Sequence, residues 1–416
     1  MSQTMIVKNE EKNIKAALSW GKNVTCEQIV VDTGSTDRTS ELAREMGAKV
    51  VSFKWIDDFS AAKNYALEQC TGDWIAILDA DEYFSGEDAE KLLHIIEKAD
   101  SDGASAINTG LISIDGKGGA ISKTTQIRII KNLKDLRYRR RIHEILTYPG
   151  DLRTYDATSE LSIIHTGYMD EILKQKHASG RNRRMLEAEL ERNPFDSEIL
   201  GYLADDYAMD EYEREKAIKL YHRAIEHLPA KISKNDTRTA DTFTKLIVLL
   251  SLEKREKELE KVYKKAVAVM SENGDFPYYA GLYYYNEKRF QEAYEYYKEA
   301  FLKLEKNAEV YNSENLRSNL ISAYAQYGRI LLECKDVKGA VAVESSVLKE
   351  NRKEYTALTT ILRAFFENGV PGHMAMDYFK KIYNPEDKFD QHLLQRAAAD
   401  TGFKEFQDIL VKESGE

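Results

Sequence analysis

Three carboxylates that follow a short apolar segment are the residues of this sequence best suited to chemistry. Residues 74–78 are apolar throughout, which predicts a strand buried on both faces. Asp79, Asp81 and Glu82 follow directly. Because side chains alternate along an extended strand, Asp79 and Asp81 should leave its carboxyl end on the same side. Two such carboxylates suit a hard divalent cation that also binds phosphates, whereas an Asp-x-Asp by itself is more commonly a solvated acidic turn.

The elements around these carboxylates predict a parallel α/β sheet. Apolar segments alternate with helical patterns over residues 4–81 in the order β-α-β-α-β-α-β. Ligands bind at the carboxyl ends of the strands in such sheets, and Asp32 ends a second strand. The turn at residues 33–37 offers backbone amides and a helix N-cap. Lys63, on a helix predicted from Phe59 to Cys70, should lie near the same edge. Taken singly, Asp32 is typical of a helix cap and Lys63 of a solvated lysine.

The composition is that of an ordinary folded protein. The chain has 416 residues, 43% hydrophobic and 31% charged, so we expect two or more domains with substantial cores. The net charge of -10 argues against a nucleic-acid partner bound by charge alone. No apolar run approaches the roughly 20 residues of a membrane span, and the N-terminal residues lack a leader pattern, so we expect a cytoplasmic protein. The three cysteines are far apart and favour free thiols.

Four motifs, in this order and at this spacing, resemble those of the family 2 glycosyltransferases. They are residues 5–11, residues 29–37, residues 62–64 and residues 78–82. The resemblance covers roughly the first 170 residues and implies a GT-A fold, a UDP-sugar donor, a divalent metal (Mg²⁺ or Mn²⁺) and inversion at the anomeric carbon. It implies that Asp32 contacts the uridine, that Asp79 lies near the ribose and metal, and that Asp81 is the direct metal ligand. Other residues of the nucleotide-sugar site on this interpretation are Val7, Asn9, Glu10, Lys63, Ala80 and Arg128.

Residues 126–168 supply the remaining candidates. Arg128 lies on a strand predicted at residues 126–130, and a basic run at residues 131–141 is either a solvated charge run or an attraction for a diphosphate or an acidic acceptor. Glycosyl transfer needs a base for the acceptor proton, for which Glu144 is our candidate and His143 its competitor. His165 is our candidate for an additional metal or diphosphate ligand, although a lone histidine is more often structural.

The second half of the sequence predicts paired helices. Helical periodicity is continuous from about residue 175, and the spacing of Gly281, Ala293, Tyr297 and Ala300 is that of a tetratricopeptide repeat. We therefore predict a GT-A catalytic domain at residues 1–175 followed by an all-α repeat domain at residues 176–416. The neighbouring tyrosines are expected to be mainly packing between helices.

This pairing resembles bacterial glycosyltransferases that modify peptides or proteins, including the S-glycosyltransferases of glycocin-type bacteriocins. The matching features are the strand with Arg128, the pair His143 and Glu144, residues 165–168 and the repeat tail. The expected partners are a UDP-sugar and a peptide or protein with a Cys, Ser or Thr acceptor, and a homodimer is possible. Two alternatives stay open: an enzyme acting on a cell-surface glycan or lipid-linked acceptor, and a repeat scaffold whose transferase domain is inert.

Overall fold

The computed structural model describes residues 1–116, 118–166, 180–306, 313–384 and 386–414. These residues divide into two compact units, Met1–Pro194 and Phe195–Glu416. The domain boundary predicted between residues 175 and 176 lies outside the described residues, as do the last two residues of the segment 165–168.

A nine-stranded sheet forms the centre of the first unit. The strands of this unit are β1 (Ser2–Val7), β2 (Glu27–Asp32), β3 (Lys49–Ser52), β4 (Trp74–Ile77), β5 (Glu82–Phe84), β6 (Ala106–Ile114), β7 (Ala120–Lys131), β8 (Arg137–Arg139), β9 (Ile145–Thr147), β10 (Thr154–Asp156) and β11 (Ser162–His165). The sheet order is β3-β2-β1-β4-β7-β6-β11-β5, and β10 pairs with β6. Strands β3, β2, β1 and β4 are mutually parallel, as the sequence predicts.

Four helices pack on the sheet and cover both of its faces: α1 (Ile14–Ser19), α2 (Thr39–Glu45), α3 (Phe59–Glu68) and α4 (Gly86–Ser101). A further helix of this unit is α5 (Arg181–Arg192). Alternate residues of β4 point to opposite faces: Trp74 and Ala76 pack in one cluster with α4, whereas Ile75 and Ile77 pack with Ala66 of α3. The buried apolar strand predicted from residues 74–78 is therefore explained by a helix on each side.

Strands β8 and β9 form a separate antiparallel hairpin, with Arg139 opposite Ile145. Its five-residue tip contains two non-glycine residues with left-handed backbone, Arg140 (φ 74°) and His143 (φ 50°). Because non-glycine residues adopt this conformation only where surrounding contacts impose it, the tip must be held by its neighbours.

The second unit is helical throughout its described residues. Its helices are α6 (Ser197–Ala208), α7 (Arg214–Glu226), α8 (Thr237–Leu252), α9 (Glu256–Val269), α10 (Asp275–Asn286), α11 (Phe290–Lys306), α12 (Glu314–Ser318), α13 (Leu320–Glu333), α14 (Val337–Glu350), α15 (Tyr355–Glu367), α16 (Gly372–Phe379), α17 (Lys388–Thr401) and α18 (Lys404–Ser414). A Cβ at Gly281 of α10 would lie 2.8 Å from Cδ2 of Tyr297 on α11, so the small residue permits the close helix approach that the repeat spacing predicts. The predicted fold class, an α/β domain followed by TPR-like helical repeats, is confirmed.

The tyrosine-rich stretch packs between these helices. Tyr278, Tyr283 and Tyr297 are buried, and the rings of Tyr284 and Tyr296 stack with centroids 5.2 Å apart. Nowhere in the described parts of the chain is a helix both long and apolar enough to cross a membrane.

Candidate active site

A cavity of about 830 Å³ lies at the carboxyl ends of β1 and β4. These strands are parallel neighbours, so their carboxyl ends share one edge of the sheet. Strand β7 runs antiparallel to β4 with Ala76 opposite Ile129, which brings Arg128 to the same edge. The sequence-predicted residues that line the cavity are Val7, Glu10, Lys63, Asp79, Ala80, Asp81, Arg128, His143, Glu144 and His165.

Lys63 is the first of two buried cations that line this cavity. It is only 4% exposed, and its Nζ lies 2.5 Å from Oε1 of Glu144 and 3.6 Å from Oδ1 of Asp79. Burial acts to lower the pKa of Lys63, but the two carboxylates outweigh it and raise that pKa above its ordinary value. Lys63 therefore carries a fixed positive charge from α3 to the end of β4 and to the β8–β9 hairpin.

Arg128 provides a second buried cation. Its Nη2 lies 2.9 Å from Oδ2 of Asp79 and 2.5 Å from Oε1 of Glu82. The other oxygen of Glu82 accepts a hydrogen bond from the Asp79 backbone N–H at 3.0 Å, which fixes the turn after β4. Desolvation acts to raise the pKa of Asp79, but Lys63 and Arg128 outweigh it and hold that pKa well below its ordinary value.

Asp81 and His165 meet on another wall of the cavity. Oδ2 of Asp81 lies 3.5 Å from Nε2 of His165, and the His165 Nδ1 is 3.3 Å from the Ser113 hydroxyl. The backbone N–H of Thr166 donates to the Asp81 carbonyl at 3.0 Å, which ties the end of β11 to the turn after β4. The Asp81 carboxylate raises the pKa of His165 above its ordinary value.

The candidate bases lie on the tip of the β8–β9 hairpin. Glu144 is half-buried and paired with Lys63, whereas His143 is exposed at the tip in a left-handed conformation. Both line the cavity, and Glu144 contacts the charged cluster through Lys63.

Asp32 and Asn9 lie outside the cavity lining. Oδ1 of Asp32 accepts hydrogen bonds from the backbone N–H groups of Gly34 and Ser35, and Oδ2 accepts from the Ser40 hydroxyl. Oδ1 of Asn9 accepts from the Thr36 backbone N–H at 2.8 Å. The two side chains thus brace the turn after β2.

Several lining residues carried no signal in the sequence. The rings of Trp55 and Phe59 lie 4.9 Å apart, and the Arg181 guanidinium is 5.2 Å from the Phe59 ring. Tyr138 and Ile142 add buried apolar surface from the hairpin. These residues follow no motif spacing, and only the three-dimensional arrangement brings them to the cavity.

Parts of this chain are similar in sequence to a known protein family and to several known proteins. Residues 2–161 match the family model described as Glycosyl transferase family 2. A TPR repeat-containing protein of Synechococcus elongatus is 33% identical over 210 residues, which cover 49% of this chain and 51% of the relative. An uncharacterised glycosyltransferase of Rickettsia typhi is 38% identical over 102 residues (24% of this chain and 35% of the relative). The SPbeta prophage-derived glycosyltransferase SunS of Bacillus subtilis is 27% identical over 192 residues (46% and 45%).

The chain thus spans about half or less of the length of these curated relatives. The family match covers most of the residues that line the cavity, whereas His165, Arg181 and the helices of the second unit lie beyond it. The first unit of this chain is therefore a glycosyl transferase family 2 domain, and it is followed by a unit of TPR-like helical repeats.

Proposed function

We propose that this chain is an inverting glycosyltransferase that moves a sugar from a UDP-sugar to a Cys, Ser or Thr side chain of a peptide or protein. The observation that carries the proposal is the charged cavity at the carboxyl ends of parallel strands, in a domain of this family. Two buried cations and a carboxylate on the opposite hairpin meet there, as displacement of a diphosphate requires.

The charge of the cluster supports metal dependence. Lys63 and Arg128 are paired with the carboxylates of Asp79, Glu82 and Glu144. The Asp81 carboxylate lies beside His165 in the same cavity. A diphosphate would bring further negative charge to these carboxylates and a divalent cation would offset it, which is why we expect donor binding to require Mg²⁺ or Mn²⁺.

Asp81 and His165 are the residues that would hold such a cation. One carboxylate and one imidazole facing a cavity suit an ion that completes its ligands with phosphate oxygens and water. Within the described residues, no group of three or more His, Cys, Asp or Glu is arranged to hold a metal without a substrate. When bound, the ion would neutralise charge on the leaving diphosphate.

The chain's own residues account for the remaining steps. The acceptor sulfur or oxygen attacks the anomeric carbon, the bond from that carbon to the diphosphate oxygen breaks, and UDP leaves with the bonding electrons. Glu144, oriented by Lys63, takes the acceptor proton, with His143 as the alternative base. Lys63 and Arg128 stabilise the departing negative charge. Attack opposite the leaving group inverts the anomeric centre.

The nucleoside is assigned to the edge formed by β1 and β2. Val7, Glu10 and Ala80 line that part of the cavity, and the Asp32 carboxylate lies at the end of the neighbouring strand β2. We propose that Asp32 accepts from the uracil or ribose and that Asn9 keeps its turn in place. Replacing Asp32 with Ala should therefore weaken UDP binding and destabilise the turn.

Turnover with a panel of donors tests the proposal. The full chain is incubated with UDP-sugars, Mn²⁺ or Mg²⁺, and peptides containing Cys, Ser or Thr, and UDP release and peptide mass are measured. Glu144→Gln should lower transfer by about 100-fold or more while sparing UDP binding. Glu68→Gln, on an exposed glutamate of α3, is the matched control and should transfer normally.

The outcomes separate the alternatives. Transfer to a glycan or lipid-linked acceptor but to no peptide would overturn the proposed peptide or protein acceptor. It would still support the proposed sugar-transfer reaction. Absence of UDP release with every donor and metal would favour the inert scaffold. Sedimentation analysis of the same protein tests the proposed homodimer, for which a monomer at all concentrations is the contrary result.

A further inference from the structure

Strand β8 of the β8–β9 hairpin is attached to α3 by the side chain of Asn64. Nδ2 of Asn64 donates to the Tyr138 carbonyl at 2.9 Å, and the Tyr138 backbone N–H donates to Oδ1 of Asn64 at 2.8 Å. A single amide thus satisfies both backbone groups of Tyr138, a residue buried to 7% exposure. No other described side chain pairs with those two backbone groups.

The first turn of α3 adds two further attachments. The Ser60 hydroxyl donates to the Arg140 carbonyl at 2.5 Å, and the Phe59 backbone N–H donates to the Arg141 carbonyl at 2.8 Å. The Phe59 N–H is one of the amides that a helix N-terminus leaves without an intrahelical partner. Together these bonds hold the hairpin where Arg140 adopts its left-handed conformation.

The same face of α3 carries Lys63. Residues 60, 63 and 64 are three and four positions apart, so they lie next to each other on the helix surface. Lys63 therefore meets Glu144 at 2.5 Å because the bonds from Ser60 and Asn64 have placed the hairpin over this face. Asn64 itself is absent from the cavity lining and is not placed to touch a substrate.

We propose that Asn64 is a positioning residue that sets Glu144 against Lys63 and so fixes the base relative to the donor site. This assignment rests on the proposed function, because Glu144 has the role of base only there. Loss of the Asn64 amide would free the backbone of Tyr138 and allow the five-residue tip to shift. A shift of this kind misplaces the base without removing Lys63 or the metal ligands.

Asn64→Ala and Asn132→Ala form a matched pair for the test. Asn132 also donates from Nδ2 to backbone carbonyls, those of Cys70 and Gly72, at 3.2 and 3.0 Å, but it lies away from the cavity lining. Asn64→Asp is the milder variant, since a carboxylate still accepts from the Tyr138 N–H while losing the bond to its carbonyl. It keeps the test informative if the alanine variant folds poorly.

Hydrogen exchange of the full chain provides the readout that does not depend on activity. Asn64→Ala should accelerate exchange in residues 138–147 and leave the central strand β6 unchanged. Asn132→Ala should leave residues 138–147 unchanged. Equal protection of residues 138–147 in wild type and Asn64→Ala would overturn the proposal.

Steady-state kinetics then tests the catalytic consequence. Asn64→Ala should lower kcat by about 10- to 100-fold with little change in the donor KM, whereas Asn132→Ala should stay within about twofold of wild type. In a Glu144→Gln background, Asn64→Ala should cause no further loss, because its effect passes through Glu144. Additive losses, or an unchanged kcat in an active protein, would overturn the assignment. An inactive wild type would overturn the proposed function, while the exchange experiment would still decide whether Asn64 holds the hairpin.

Discussion

Replacing Glu344 with Gln should stabilise the helical unit, and increasingly so as the pH rises. Glu344 of α14 is fully buried, and within the described residues neither of its carboxyl oxygens has a hydrogen-bond partner. A Cβ on Gly328 of α13 would lie 2.5 Å from its carboxyl carbon, so the carboxyl group is packed directly against the neighbouring helix. An ionised carboxylate in this position would be strongly disfavoured.

The magnitude follows from the pKa of this group. Burial raises the pKa of Glu344 from 4.5 to about 9, with a smaller contribution from Glu354 in the same direction and with the nearby Thr360 hydroxyl and Arg329 opposing it. Tyr285 also faces this carboxyl group and carries no charge at neutral pH. The folded protein therefore keeps the Glu344 proton at pH values at which the unfolded chain has lost it.

The sign of the pH dependence is fixed by these two pKa values. Below pH 4.5 the carboxyl group is protonated in both states, and its contribution to stability is complete. Between pH 4.5 and about 9 unfolding releases the proton, so the free energy of unfolding falls by about 1.4 kcal/mol per pH unit. At pH 7.5 the loss reaches about 4 kcal/mol. Glutamine has nearly the same shape and no proton to release, so Glu344→Gln removes this loss.

Urea unfolding followed by far-UV circular dichroism measures the effect. For the helical transition, Glu344→Gln should resemble wild type at pH 4.5 and be more stable by about 4 kcal/mol at pH 7.5, a midpoint shift of about 1.5 to 2 M urea. Glu350→Gln, at an exposed position of the same helix, is the control and should give no pH-dependent difference of this size. A difference between Glu344→Gln and wild type that is the same at both pH values would refute the reasoning, as would a less stable variant at pH 7.5.

Three further perturbations follow from the described contacts. Asp81→Ala should lower metal-dependent UDP release by about 100-fold or more with an unchanged unfolding midpoint; retained metal dependence would contradict its role. Lys63→Met should destabilise the first unit by about 3 to 5 kcal/mol in urea unfolding, because it removes the buried cation paired with Glu144 and one of the two paired with Asp79; wild-type stability would show that the pairs are solvated. Gly281→Ala should cost about 1 to 3 kcal/mol because its Cβ would meet Tyr297, whereas Gly86→Ala, whose Cβ would meet nothing within 4 Å, should be tolerated.

The sequence predicts those parts of the fold that are coded locally. The apolar segment before Asp79 becomes a strand covered on both faces, because this depends on neighbouring residue types. The spacing of Gly281 and Tyr297 likewise identifies a close helix pair. Such patterns can be recognised in the sequence without knowledge of the contacts that the rest of the chain makes. The helix N-cap predicted in the turn at residues 33–37 is wrong, since α2 begins after Arg38, which makes no side-chain cap hydrogen bond, and Asp32 instead accepts from backbone N–H groups of the turn.

Contacts between residues that are far apart along the chain could not be predicted from the sequence. Nothing in the residues next to Lys63 distinguishes it from a solvated lysine. Its burial depends on Asp79 and on Glu144, which lies far along the chain. Strand β8 falls within a basic run that has no strand pattern, and the position of the β8–β9 hairpin depends on hydrogen bonds from Asn64 and Ser60. The sequence therefore predicts Glu144 as the candidate base, but it does not predict the contact with Lys63 that orients its carboxylate.

Glu344 illustrates the same limit in the repeats. It follows Gly328 by the same sixteen positions that separate Tyr297 from Gly281. The repeat register therefore places a carboxyl group where the preceding repeat has a buried aromatic ring. A glutamate in a helical sequence suggests a solvated face, and only the packing against Gly328 shows that it is buried.

Sugar transfer from a UDP-sugar is the central claim, and mass spectrometry of the acceptor tests it most directly. Purified full chain, a UDP-sugar panel, Mn²⁺ or Mg²⁺ and peptides with Cys, Ser or Thr should yield a peptide heavier by one sugar residue. The product should depend on the metal and form about 100-fold more slowly, or slower still, in both Asp81→Ala and Glu144→Gln. Unmodified peptides with every donor would contradict the peptide acceptor, and the additional absence of UDP release would contradict glycosyl transfer itself.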